Sequence, residues 1–182
     1  IGNDAFYDCD NLSSLTIGKG VPSIGARAFA DCDSLTSIII PDAVTSIGDG
    51  TFSGCSNLKE ITLGSSVEQI GSNFIYLCSA LESITVAATM PPVMGELEMS
   101  VTDYRSIIVY VPVGSLSAYQ SADVWSRFWN IQEFNATGVV TPAISNEIID
   151  SPIYNLNGER MMDKNNLPKG IYIQNGKKFI IR

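Results

Sequence analysis

Apolar side chains recur along the first half of the chain with a fixed period, the spacing that separates Cys9 from Cys32. Each period contains Ile-Gly, then an apolar or aromatic position, a cysteine and a leucine, and ends with apolar residues that alternate with polar ones. The four clear copies place cysteine at equivalent positions: Cys9, Cys32, Cys55 and Cys78. A constant period of this length is typical of stacked-repeat proteins, because one unit alone cannot bury its apolar face. The pattern therefore predicts a repeat solenoid.

The alternating part of each period predicts a short strand. In the second copy, Ile38 and Ile40 stand at alternate positions, so both side chains point to the same face of a strand. A second apolar pair follows, as at Val44 and Ile47, and predicts another short strand on the opposite wall. Turn-forming residues stand between the two strands of the first three copies: Gly18, Pro41 and Gly64. The predicted fold is mainly β, with two strands per repeat.

The period continues into a degenerate fifth repeat at 93–112. One full period after Ile84 and Val86 stand Ile107 and Val109, although this copy has lost its cysteine. Altered terminal repeats are expected where a stack must be closed against solvent. We therefore expect Ile107 and Val109 to lie beside Ile84 and Val86.

Residues 113–134 are predicted to form a short helical cap on this stack. Ser115 suits the N-cap of a short helix over 115–122. Bulky apolar side chains follow it at Val124, Trp125, Phe128, Trp129, Ile131 and Phe134. We expect this cluster to close the open end of the core. The alternative is an aromatic platform for carbohydrate, which requires exposed tryptophan side chains.

The C-terminal part of the chain is predicted to be separate. Residues 135–147 lack apolar periodicity and are expected to be a linker, and residues 148–182 a small β module. Two Asn-Gly pairs, at 157–158 and 175–176, each stand between alternating apolar runs, which is the strongest short-range signal for a β-hairpin. Two hairpins are marginal alone, so we expect them to pack on each other or on the repeats.

The composition narrows the classes of function. The chain carries a net charge of −8 and has no histidine. An acidic protein is not expected to bind nucleic acid, which requires a basic face. Because the commonest general base and metal ligand is missing, we expect neither histidine-dependent catalysis nor a zinc site, and no cofactor. No apolar stretch approaches the length of a transmembrane helix.

The chain opens in the middle of a repeat, without an initiator Met or a signal peptide. We therefore expect it to be the C-terminal piece of a longer or processed protein. A signal sequence is then expected upstream or already removed.

The four cysteines allow more than one interpretation. Equivalent residues of neighbouring repeats lie about 4.7–4.9 Å apart with parallel side chains, whereas a disulfide needs Cβ atoms about 3.5–4.5 Å apart that point together. This geometry favours a buried ladder of thiols that pack as small apolar groups. Disulfides and metal binding stay open as alternatives.

Acidic residues flank the first two cysteines at Asp8, Asp10, Asp31 and Asp33. Clustered carboxylates suit calcium, but the third and fourth copies lack them. A solvated turn with Asx-type backbone hydrogen bonds is the favoured interpretation. Whether these four residues bind calcium stays open.

The outward positions of the main predicted sheet form a flat, mostly hydroxyl-bearing surface. In chain order they are Ser14, Thr16, Ser37, Ile39, Glu60, Thr62, Ser83 and Thr85. This set contains no paired carboxylates and no nucleophile beside a base, so we expect no enzymatic activity. Such a face suits contact with a protein or a glycan, and a merely solvated sheet is the alternative.

The second copy, residues 24–41, reads Ile-Gly-x-x-Ala-Phe-x-x-Cys-x-x-Leu-x-x-Ile-x-Ile-Pro and resembles the BspA-like class of leucine-rich repeats. The resemblance covers residues 1–112. The tail, with Tyr-Asn-Leu-Asn-Gly-Glu-Arg at 154–160 and Leu-Pro-Lys-Gly-Ile-Tyr-Ile at 167–173, is similar to the C-terminal modules of such proteins. It also resembles a shortened type IX secretion sorting domain.

This resemblance implies a right-handed leucine-rich-repeat solenoid in a bacterial protein that is secreted or displayed at the cell surface. The implied partners are proteins or glycans of the host extracellular matrix or cell surface. The main hypothesis is a non-enzymatic, adhesin-like binding protein that uses the sheet face. The alternative is a structural spacer or anchor that displays an upstream domain, with the tail serving export or attachment. The class has no site motif, so no functional residue carries over from it.

Overall fold

A computed structural model of the protein describes residues 1–134, with the backbone alone at 101–102, and the backbone of four strands between 153 and 181. The chain divides into two compact units, Ile1–Pro142 and Ala143–Arg182. The linker predicted at 135–147 lies outside the described residues.

The first unit contains two parallel sheets, built largely from the two short strands that the sequence predicts for each repeat. In chain order the strands are β1 (Ser23–Ile24), β2 (Ser37–Ile39), β3 (Ser46–Ile47), β4 (Glu60–Leu63), β5 (Gln69–Ile70), β6 (Ser83–Val86), β7 (Val93–Met94), β8 (Ile108–Pro112) and β9 (Asn130–Phe134). One sheet has five strands in the order β2-β4-β6-β8-β9, and the other has four in the order β1-β3-β5-β7. Neighbouring strands therefore come from successive repeats.

Both sheets contribute to one hydrophobic core. In β4, Ile61 and Leu63 are buried while Glu60 is exposed, as the alternation along a strand requires. In the turns that precede the cysteines, the rings of Phe6, Phe29 and Phe52 stack nearly parallel, with centroids 5.2 and 5.6 Å apart. The sequence period thus places identical side chains on top of one another.

The first copy departs from the prediction of a strand. Ser14 and Thr16, expected on the outward side of the main sheet, are exposed but belong to no strand. Within the described chain, residues 13–17 take part in no backbone hydrogen bond with β2.

The fifth repeat is out of the predicted register. Ile84 lies opposite Val109, and not opposite Ile107. In the four-stranded sheet, Ile70 lies opposite Met94, one position beyond a full period. The predicted alignment is wrong by two positions, because one extra residue precedes β7 and a second lies between β7 and β8. An even shift preserves which side chains face inward.

The segment predicted as a helical cap also extends the sheet. β8 pairs in parallel with β9, and Val109 lies opposite Ile131, one position short of a full period. Two short helices accompany these strands, α1 at Val101–Ser106 and α2 at Leu116–Ser121, with a turn of 3-10 helix at Trp125–Arg127. The cap is therefore a sixth, modified repeat and not a purely helical plug.

The N-terminus of α2 is capped by a strand residue. Ser115 occupies the predicted N-cap position, but its side chain makes no capping hydrogen bond. Instead the Glu133 Oε1 accepts hydrogen bonds from the backbone N–H groups of Gly114 and Leu116, at 2.8 and 3.2 Å. A carboxylate from β9 therefore accepts the first backbone N–H of this helix and one from the turn before it.

The aromatic cluster closes the core at most of the predicted positions. The Trp125 indole N–H donates to the Pro92 carbonyl at 2.8 Å, and the Tyr119 hydroxyl donates to the Ala88 carbonyl at 2.7 Å. Phe128 is also buried. Trp129 was predicted to join this cluster and does not, since its side chain is 67% exposed.

The turn at the start of each repeat contains two backbone positions with positive φ. The first column is Asp4, Arg27, Gly50 and Asn73, and the second is Asp8, Asp31, Gly54 and Leu77, each spaced by one period. Left-handed backbone costs an ordinary L-residue about 1–2 kcal/mol and is tolerated best by glycine, asparagine and aspartate. The period therefore repeats the backbone conformation as well as the side-chain pattern.

Polar side chains connect successive turns. The Asp49 Oδ1 accepts a hydrogen bond from the Ser72 N–H at 2.7 Å, and the Asp42 Oδ1 accepts one from the Ser65 N–H, also at 2.7 Å. Backbones approach closely here, because a Cβ added at Gly71 would lie 2.5 Å from the Gly48 carbonyl carbon. Glycine at this position lets one repeat stack directly on the previous one.

The second unit contains one antiparallel sheet. Its strands are β10 (Ile153–Asn155), β11 (Arg160–Met161), β12 (Gly170–Gln174) and β13 (Lys177–Ile181), in the order β11-β10-β12-β13. β10 pairs with β11, and β12 pairs with β13, across the two predicted Asn-Gly pairs. Both hairpin predictions are confirmed, and pairing of β10 with β12 joins the hairpins to each other.

Candidate binding face

Six of the eight residues predicted to form a binding surface lie on the outward face of the five-stranded sheet. The backbone register aligns them in two rows, which are Ser37, Glu60 and Ser83, and Ile39, Thr62 and Thr85. Ser37, Ile39 and Glu60 are exposed, and the other three are half-buried. Ser14 and Thr16 lie outside the sheet, as described above. We call the outward positions of β2, β4, β6, β8 and β9 the sheet face.

Two further strands extend these rows beyond the predicted set. Ile108 and Asn130 continue the first row, and Tyr110 and Gln132 continue the second. All four side chains are half-buried. The sequence carried a usable signal for β9, because Asn-Ile-Gln at 130–132 alternates polar and apolar residues around the buried Ile131.

The sheet face changes character along its length. Ile39 is 68% exposed and is the largest apolar group on the first strand, and Glu60 on the next strand carries a charge. The outward side chains of β8 and β9 that the rows contain are uncharged: Ile108, Tyr110, Asn130 and Gln132. In that pair of strands, the Gln132 Nε2 donates to the Asn130 Oδ1 at 2.8 Å.

Cys32 and Cys55 are buried, Cys9 and Cys78 are half-buried, and none of the four forms a disulfide. Each thiol from the second copy onward donates a hydrogen bond to a phenylalanine carbonyl of the preceding repeat. These pairs are Cys32 to Phe6 at 3.2 Å, Cys55 to Phe29 at 3.1 Å, and Cys78 to Phe52 at 3.0 Å. The predicted ladder of packing thiols is confirmed, together with a hydrogen bond that sequence reasoning missed.

The burial of these thiols also lowers their reactivity. Desolvation raises the pKa of Cys55 to about 12 and also raises the pKa of Cys78 and Cys32. The thiolate is the nucleophile and metal-binding form of cysteine. At neutral pH these three residues therefore stay protonated and serve to join repeats.

The acidic rows near the first two cysteines belong to the turns. Asp8 and Asp31 occupy the second left-handed column. The Asp33 Oδ1 accepts hydrogen bonds from the Ser56 hydroxyl and backbone N–H, at 2.7 and 3.3 Å. Among the described residues, no group of three or more acidic, cysteine or histidine side chains is placed to hold a metal ion.

Ion pairs among the remaining described residues connect different segments of the chain. Arg127 contacts Glu96 at 2.7 Å, and this pairing lowers the pKa of the Glu96 carboxyl. Arg27 contacts Asp4 at 2.8 Å in the first two turns. In the part of the chain that the structure describes, every buried side-chain nitrogen and oxygen has a hydrogen-bond partner. None of the helices in that part is long and apolar enough to cross a bilayer.

Comparison with known proteins rests on the repeats. A search of the curated proteins returned no match. The model of the family described as "BspA type Leucine rich repeat region (6 copies)" matches residues 1–94. This match covers the residues that build the stacked turns, the thiol ladder and most of the sheet face. The chain therefore belongs to the BspA-type leucine-rich-repeat family.

Proposed function

We propose that the protein is a non-enzymatic binding protein, secreted or displayed at the cell surface, which uses the sheet face to contact a protein or glycan of the host matrix or cell surface. The observation that carries this proposal is the continuous outward face of five parallel strands. Its rows combine hydroxyl and amide groups with the exposed Ile39. Repeat proteins commonly bind through such extended surfaces.

The chemistry of the face favours recognition over catalysis. Half-buried hydroxyls such as Thr62 and Thr85 can donate and accept hydrogen bonds without the cost of burying a charge. Ile39 offers an apolar anchor beside them, and apolar anchors surrounded by polar groups are typical of binding hot spots. The arrangement suits a polar ligand lying flat on the sheet.

The finer architecture is part of the same proposal. The repeats close into a right-handed solenoid over 1–134, and residues 135–147 link it to a module at 148–182. The tail then acts as a shortened sorting domain. Resemblance to BspA-like surface proteins supports these assignments.

A charge placed in the middle of the sheet face tests the main proposal. We expect Thr62→Arg to lower binding to plate-coated extracellular-matrix extract at least about tenfold, because a long charged side chain blocks both rows. Gln69→Arg is the matched control, since Gln69 is exposed on β5 in the other sheet. Equal binding by both variants, with thermal unfolding unchanged, would contradict the proposal.

A second candidate, a structural spacer or anchor, is favoured by the division into two compact units. In that role the repeats hold an upstream domain away from the cell, and the C-terminal module serves export or attachment. We expect deletion of residues 148–182 to abolish surface display, measured by antibody labelling of intact cells. Normal display of the truncated chain would rule out this role for the module.

A further inference from the structure

The segment that enters β7 keeps large apolar side chains in solvent. Met90 is 72% exposed, and Val93, the first residue of β7, is 75% exposed. Hydrogen bonds from side chains of the cap hold this segment at both ends, at the carbonyls of Ala88 and Pro92. The two prolines that follow Met90 restrict the backbone further. We call residues 88–93 the proline ridge, and it presents Met90 to solvent in a fixed position.

The proline ridge borders a cavity of about 430 Å³ whose walls are mostly apolar. Met90 and Val93 line it from the ridge, and Ala118 and Ala122 line it from α2 and its C-terminal end. This volume is in the range of ligand pockets in proteins. Exposed apolar groups that lie together mark interaction sites, and methionine adapts its shape to different partners. The cavity therefore suits an apolar side chain from another molecule.

A second cavity, of about 390 Å³, adjoins the first and shares with it Met90 and both prolines of the ridge. Its other walls are mostly polar and include the exposed residues Ser65, Ser66 and Glu68. The Asp42 carboxylate lies beside it, because its Oδ1 accepts a hydrogen bond from the Ser65 N–H at 2.7 Å. An apolar cavity and a polar, negatively charged one therefore adjoin at the ridge.

The charges around both cavities are negative. Glu68 lines the polar cavity and Asp123 lines the apolar one, and no lysine or arginine of the described chain lines either. Arg127 lies 4.0 Å from Asp123, but its closer partner is Glu96 at 2.7 Å. A partner that is complementary to this surface carries positive charge beside its apolar side chains. The net charge of −8 also favours the approach of a basic partner over an acidic one.

We infer that the proline ridge and its two cavities form a docking site for a basic amphipathic segment of a partner protein, in which large apolar side chains are flanked by lysine or arginine. An apolar side chain enters the cavity beside Val93, and a basic side chain reaches Glu68 across Met90. Because the ridge is held in place before binding, little ordering is required of the site. The site belongs to the four-stranded sheet and the cap, so this inference does not rest on the proposed function.

Methyl signals of ¹³C-labelled methionine report on this site directly, since Met90 is one of five methionines in the chain. The probe is the synthetic peptide KLLKKLLK, whose leucines and lysines occupy opposite faces of a helix, and the comparison peptide is ELLEELLE. We expect the lysine peptide to shift the Met90 signal and to leave the Met99 signal in place, because Met99 lines neither cavity. The glutamate peptide should bind at least about tenfold more weakly.

Two substitutions with matched controls test the two cavities, with affinity measured by calorimetry. Met90→Ala should weaken binding of the lysine peptide at least about fivefold, whereas Leu77→Ala, which shortens another exposed aliphatic side chain, should leave it unchanged. Glu68→Lys should weaken binding of the lysine peptide and strengthen binding of the glutamate peptide. Glu82→Lys changes the net charge equally at an exposed position outside both cavities, and it should do neither.

Three outcomes would overturn the inference. These are a Met90 signal that the lysine peptide does not shift, equal affinity for the two peptides, and parental affinity for the lysine peptide in either Met90→Ala or Glu68→Lys. The matrix assay with Thr62→Arg tests the proposed function separately, since Thr62 and its control Gln69 line neither cavity. Failure of one experiment therefore leaves the other conclusion standing.

Discussion

Single residues in the turns carry backbone strain that the period would not reveal by itself. Gly54 and Leu77 occupy the same left-handed column, with φ of 78° and 60°. Glycine has no Cβ to clash in this conformation, whereas the Cβ of leucine makes it unfavourable. Leu77 is also 64% exposed. Leu77 is therefore a site of local strain without compensating burial.

We expect Leu77→Gly to raise the free energy of unfolding by about 1 kcal/mol, because relief of the left-handed strain outweighs the entropy of glycine. Urea unfolding followed by tryptophan fluorescence measures this, since both tryptophans lie in the first unit.

The reverse substitution in the same column is the matched control. The Asp31 carboxylate can move away from a Cβ at Gly54, but leucine would have to adopt a φ of 78° there, so Gly54→Leu should lose about 1–2 kcal/mol. A Leu77→Gly variant that is less stable than the parent chain would show that the exposed leucine contributes contacts of its own.

At the scale of the element, the repeat-to-repeat interface is built from contacts that recur once per period. Thiol-to-carbonyl hydrogen bonds join the inner side of successive turns, and aspartate carboxylates accept backbone N–H groups on the outer side. The hydrogen bond between Asp49 and Ser72 lies beside the close backbone approach at Gly71. The strands are short, so much of the precision of stacking comes from the turns.

We expect Gly71→Ala to destabilise the chain by about 1–3 kcal/mol, because its Cβ would overlap the backbone nitrogen of Asp49. Gly2 occupies the equivalent position in the first repeat, where an added Cβ meets no atom within 4 Å. Gly2→Ala should therefore change stability by less than about 0.5 kcal/mol. Similar unfolding midpoints for the two variants would contradict a tight interface at position 71.

The sequence predicted the strands of the second to fourth copies because their burial is decided locally. Ile61 and Leu63 point inward wherever the strand forms, and the period places them beside their equivalents. The register of the fifth repeat was not predictable in the same way. Two added residues leave the alternation unchanged, so Val109 looks equally suitable beside Ile84 or Val86.

The candidate site was predicted in part for a related reason. Alternation identified outward positions such as Thr62, but exposure of Trp129 depends on packing among α1, the 3-10 turn and β9. That packing joins residues that are distant in the sequence, and no local pattern distinguishes Trp129 from the buried Trp125. Ser115 similarly looks like a cap, whereas Glu133 supplies the hydrogen bonds.

At the scale of the first unit, the aromatic cap closes one end of a core that runs through all the repeats. Trp125 lies at the centre of this closure, with its ring edge-on to Tyr119 at 5.4 Å between centroids and its N–H bonded to Pro92. Each repeat is stabilised by its neighbours, so the loss of the cap weakens the adjoining strands first.

We expect Trp125→Ala to lower the free energy of unfolding by about 3–5 kcal/mol, and hydrogen exchange to show protection lost first in β8 and β9. Trp129→Ala is the matched control, because loss of the exposed indole and its contact with Arg105 should cost less than about 1 kcal/mol. Uniform loss of protection across all the strands would instead indicate that the repeats unfold as one cooperative block.

The hydrogen bond from each thiol to the phenylalanine carbonyl of the preceding repeat makes every junction between cysteine-bearing repeats alike. A unit inserted between two others would find the same acceptor below it and offer the same acceptor above. Gain or loss of a whole period in the gene would then leave every junction intact. Selection can then change the number of repeats. Each added repeat lengthens the stack by about 4.8 Å and adds one strand to the sheet face.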